Sequence, residues 1–176
     1  MKQKKNTQTM VLAAMFLAIA FVLPFLTGQI PQIGAMLCPM HIPVILCGFI
    51  CGAPWGFLVG VIAPLLRSVV LGMPPMFPTA ICMASELAVY GLMSGVLYKL
   101  LNRKKINIYL SLIFSMICGR IVWGIAMFLC MGITGGEFGF AAFIAGAVTN
   151  AILGIILQIV LIPILVMTLE RIKDKN

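Results

Sequence analysis

Long apolar runs, each closed off by glycine, proline or charge, organise this chain. Six can be read, at residues 8–26, 41–51, 56–71, 77–100, 108–131 and 138–169. About 20 predominantly apolar residues cross a bilayer as a helix. The pattern therefore predicts an all-α integral membrane protein, a compact six-transmembrane-helix bundle. The second run is short for a span, and Pro39, Pro43 and Pro54 punctuate it. It borrows residues from 33–40, or is broken or tilted. The last run is long enough to tilt or to project beyond the bilayer. Nothing reads as a linker, so residues 1–176 form a single membrane domain. No convincing internal repeat is visible, which weighs against the inverted-repeat carriers.

Charge placement gives the bundle a direction. Ten of the twelve basic residues fall in three clusters: Lys2, Lys4 and Lys5; Lys99, Arg103, Lys104 and Lys105; Arg171, Lys173 and Lys175. Cytoplasmic loops carry an excess of Lys and Arg. Six spans put all three clusters on one side, whereas five or seven would divide them. The expectation is six spans with both termini cytoplasmic. Lys2 to Lys5, the apolar run and Ala18-Ile19-Ala20 together resemble a secretory signal with a cleavage site. The apolar run continues through residues 21–26, which favours an uncleaved first span.

Composition narrows the function. Hydrophobic residues make up 62% of the chain and charged residues 9%, with a mean hydropathy of +1.17. A soluble domain would carry about 25% charged residues, so a soluble globular protein is excluded and no room remains for a soluble catalytic domain. The net charge of +8 flanks apolar spans rather than forming a nucleic-acid patch. The six cysteines include no CxxC pair and sit mostly in apolar segments, where a thiol behaves as a small hydrophobe. There is one histidine, no paired carboxylates and no nucleophile beside a base. Cys38 and His41 alone make neither a zinc site nor a catalytic pair. The expectation is a protein that is not an enzyme and holds no cofactor.

Two basic residues stand apart, inside apolar sequence: Arg67 and Arg120. A charge at membrane depth costs at least about 2.5–3.5 kcal/mol on insertion scales, and by default it marks function. At 1.5 Å per residue, Arg67 lies roughly 6–8 Å below the outer end of span three and Glu86 roughly 13 Å into span four. Arg120 is near the middle of span five and Asn150 near the middle of span six, while His41 opens span two at the outer face. Two arginines against one glutamate leave a guanidinium that matches a carboxylate or phosphate through two parallel bonds. Tyr90 and Trp123 each lie about one helical turn from a charge and could stack on an organic ligand. In the alternative reading, Glu86 and Arg120 form a structural ion pair and Arg67 snorkels outward. His41 and Asn150 could likewise serve only as hydrogen-bonded structural residues.

Small residues recur one turn apart: Ala14 and Ala18 in span one, Gly48, Gly52, Gly56 and Gly60 around span two, and Gly91 and Gly95 in span four. Such spacing lets helix backbones approach closely. For the Gly91 pair the expectation is intramolecular packing.

Together these residues resemble the substrate-binding S components of energy-coupling factor (ECF) vitamin transporters. The basic short N-terminus, Ala14-x-x-x-Ala18 and the long first outer loop carry part of the likeness. Pro39-Met40-His41-Ile42-Pro43-Val44, Pro64-Leu65-Leu66-Arg67 and Gly72-Met73-Pro74-Pro75 look like the branch that includes pantothenate S components. The resemblance implies a bacterial plasma-membrane subunit that binds a micronutrient from outside under its first loop. It would then dock on a transmembrane coupling protein driven by two cytoplasmic ATPases, through Ala14 and Ala18. The chain has no P-loop of its own. Arg67 and Arg120 are then expected as anion clamps, Glu86 and Asn150 as orienting groups, and Gln29 and Gln32 in the gating loop. Pantothenate is the first expectation, with folate, a queuosine precursor, a hydroxymethylpyrimidine or a cobalamin precursor left open. A self-sufficient carrier or channel for a small organic anion, and a membrane scaffold, are the competing classes.

Overall fold

A computed structural model describes residues 2–27, 36–101, 105–136, 138–147 and 149–173. Its α-helices are α1 (Lys2–Val22), α2 (His41–Cys51), α3 (Ala53–Leu71), α4 (Ile81–Leu100), α5 (Lys105–Thr134), α6 (Phe140–Ala147) and α7 (Ile152–Lys173). Five stretches are long and apolar enough to cross a membrane: Asn6–Phe25, Ala53–Leu71, Met76–Leu100, Lys105–Thr134 and Phe140–Leu169. The outer faces of these helices are apolar, with Val69 72%, Ile133 81% and Phe140 78% exposed. Such a surface suits lipid rather than water, and the protein is a membrane-embedded, multi-pass helical bundle.

The short second run becomes the centre of the bundle. Residues His41 to Phe49 of α2 are all buried, and the helix packs against α1, α3, α4 and α7. Protein rather than lipid surrounds it, so bilayer thickness does not set its length. One residue, Gly52, joins α2 to α3 at φ +95° and ψ 167°, a conformation essentially confined to glycine. Pro54 in the first turn of α3 then starts the next helix with its φ already suitable.

The glycine spacing marks where α2 and α3 meet α4. A Cβ at Gly91 would collide with the Gly56 carbonyl, and one at Gly48 with the Gly91 carbonyl and the Ser94 hydroxyl. Gly60 lies against the Leu87 backbone, and Gly95 against Ala53. Ser94 Oγ donates to the Ile45 carbonyl at 3.3 Å across the same crossing. The expected intramolecular role of Gly91 extends to Gly48, Gly56 and Gly60, whereas Gly52 makes the turn between α2 and α3, where a Cβ would meet nothing within 4 Å.

The last apolar run differs from its expected single helix. It is interrupted after α6 by a 3₁₀ turn at Thr149–Ala151 before α7 begins. Thr149 and Asn150 are residue types whose side chains offer the backbone alternatives to helical bonding. Asn150 therefore sits on an exposed turn within the 140–169 stretch rather than on a continuous helix.

Candidate functional site

Three elements bring polar groups to one place inside the bundle. Glu86, on the buried face of α4 between Cys82 and Tyr90, is 2% exposed. Arg120 reaches it from α5, with Nη1 2.9 Å from Oε1. His41 approaches from the start of α2, with Nε2 3.5 Å from the same oxygen. The Tyr90 hydroxyl lies beside the Glu86 carboxylate, and its ring is 5.3 Å from the His41 ring. That ring also rests on Gly119 of α5, where a Cβ would strike it. A carboxylate this deeply buried is tolerated because a cation and further donors face it.

The segment before α2 closes one side. Cys38 adopts φ +47°, the left-handed region that costs a residue with a side chain about 1–3 kcal/mol. This turn sets the buried thiol 3.8 Å from Arg120 Nη2. Burial pushes the Cys38 thiol above its ordinary range, against the pull of the Arg120 guanidinium. The contact is therefore between a guanidinium and a neutral thiol, a weak acceptor. Among the described residues, Arg120 Nε and His41 Nδ1 are buried without a hydrogen-bond partner. Nε and Nη2 share one edge of the guanidinium, so among the described residues that edge keeps two parallel donors facing nothing stronger than sulfur.

The remaining expected residues lie elsewhere. Arg67, 4% exposed on α3, donates from Nη1 to the Phe21 carbonyl at 2.8 Å. Its guanidinium lies over the Phe25 ring, 5.1 Å from the centroid. It thus holds the end of α1, and no carboxylate pairs with it among the described residues. Trp123 turns toward α6, packing on Gly146 and on the rings of Phe138 and Phe143. Ala14 and Ala18 are exposed on α1, opposite the buried Ala13, Phe16 and Ala20. Gln29 and Gln32 lie outside the described residues. Sequence reasoning passed over one contact of the site and one buried polar side chain on a neighbouring helix. Cys38 was weighed only as a nucleophile or metal ligand, and Gln158 on α7 was overlooked. A glutamine on the helical face that continues with Ile162 and Val166 was the available signal for the latter.

A buried ion pair with an open guanidinium edge, inside a lipid-facing bundle, defines a membrane protein with an internal polar site. A family model described as ECF transporter, substrate-specific component, matches residues 8–166. The chain belongs to that family, whose members are transport proteins rather than enzymes and associate with an ECF coupling module and its ATPases. No curated protein and no solved structure matches the chain.

Proposed function

We propose that this chain is the nutrient-capturing subunit of an ATP-driven ECF transporter in a bacterial plasma membrane. It binds a small anionic vitamin or precursor from outside, pantothenate before others, and delivers it inward after docking on the coupling protein. The bundle then has six spans, α2 counted among them, with its basic clusters on the cytoplasmic side as the positive-inside rule requires. The observation that carries this reading is the Nε–Nη2 edge of Arg120. A ligand carboxylate accepting both bonds would displace the Cys38 thiol from its contact and leave the Glu86 pair intact. His41 Nδ1 offers a further polar contact, while Glu86 and Tyr90 hold the guanidinium in orientation. Arg67 adds positive charge near the mouth. Asn150, Trp123, Gln29 and Gln32 are assigned to the rim and gate.

Coupling is assigned to α1, where Ala14 and Ala18 form an exposed small-residue pair beside Val11 and Met15 that a partner helix could approach closely. Ala14→Trp is expected to leave pantothenate affinity within about twofold of wild type, since the face lies opposite the core contacts. It should abolish ATP-dependent uptake by the reconstituted complex. Unchanged uptake would place the docking surface elsewhere, and uptake by the chain alone in liposomes would support a self-sufficient carrier.

A further inference from the structure

Gln158 is 1% exposed, yet among the described residues neither its amide nitrogen nor its carbonyl oxygen has a hydrogen-bond partner. Leaving both ends of a buried carboxamide unmatched is unfavourable, and such groups are rare in folded proteins. Its surroundings connect it to the site above. One turn earlier on the same face, Gly154 lies under the Met36–Leu37 backbone, where a Cβ would come within 2.8 Å of both carbonyl oxygens. Cys38, the next residue, touches Arg120. Helices α2 and α5 both pack against α7. Gln158 lies about 6 Å along α7 from Gly154. It thus belongs to the buried face that meets the two helices carrying His41 and Arg120. Below it, Ile162 and Val166 continue as apolar core.

We infer that Gln158 completes the nutrient site by reading the neutral part of the ligand. Its carboxamide offers one donor group and one acceptor, matching an amide or hydroxyl on a molecule whose anionic end meets Arg120. The inference rests on the transport reading above and adds a requirement: the nutrient carries a hydrogen-bonding neutral group as well as an anionic end. Carboxylate binding alone would leave Gln158 without purpose.

The test uses the full chain in detergent, the substitution Gln158→Leu, and two probes. These are pantothenate and panthenol, the same molecule with its carboxylate replaced by an alcohol. Without added probe, Gln158→Leu should hold or raise the thermal midpoint, since an unmatched polar group is exchanged for an apolar one of similar size. Affinity for both probes should fall by about ten- to hundredfold, and by the same factor, because Gln158 acts on the part they share. A lowered ligand-free midpoint, or affinities within about twofold of wild type, would overturn the inference by making Gln158 structural or idle. If the wild type binds neither probe, only the pantothenate assignment falls. Both proteins are then incubated with an equimolar mixture of water-soluble vitamins: an adduct on the wild type that is lost or weakened at least tenfold on Gln158→Leu upholds the role, and equal adducts or none on either protein overturn it.

Discussion

Arg120→Gln should cost about 3–5 kcal/mol of stability, because it strands Glu86 as a buried charge facing only His41 and Tyr90. The thermal midpoint of the purified chain should drop by on the order of 10 °C. That loss alone does not separate a ligand clamp from a structural ion pair, since both require Glu86 to be matched. The double substitution Glu86→Gln with Arg120→Gln does. Two neutral amides replace two charges, so most of the lost stability should return. Pantothenate binding should stay lost, by about a hundredfold, because the charged two-donor edge has gone. Wild-type affinity in the double variant would make the pair purely structural.

Gly91→Leu should prevent folding of the bundle core. At this crossing the obstacle is the Gly56 backbone, which cannot rotate away as a side chain would. Overpacking of this kind costs about 3 kcal/mol or more, and α2, α3 and α4 all depend on the contact. Little monodisperse protein should elute on size-exclusion chromatography. Gly132→Leu is the control, since nothing lies within 4 Å of the position a Cβ would take there, and it should behave as wild type. Equal yields from both variants would mean that the helices cross elsewhere.

Much of this arrangement is legible in the sequence because membrane burial leaves a coarse signature. Apolar runs and their punctuation give the helices to within a few residues, and four-residue glycine spacing shows where backbones meet. The isolated Glu86 and Arg120 meet as opposite charges at similar depth must. Periodicity does not reveal which partner a long side chain selects. Arg67 reaches a backbone carbonyl left by the end of α1, a group that exists at every helix terminus and has no residue signature. Trp123 follows the aromatic residues of α6, although it sits one turn from Arg120. Asn150 falls on an exposed turn rather than in a continuous helix, because a local break after α6 is invisible in a run of uniformly high hydropathy. Gln158 was obscured because it is the one polar residue in an apolar stretch from 152 to 167.

Glu86 and Arg120 as the heart of a nutrient site can be tested most directly by native mass spectrometry. The wild-type chain and the Glu86→Gln, Arg120→Gln double variant would each be incubated with an equimolar mixture of water-soluble vitamins. The wild type should carry one molecule of a single anionic vitamin per chain, and the folded double variant none. No adduct on the wild type, or the same adduct on both proteins, would contradict the account.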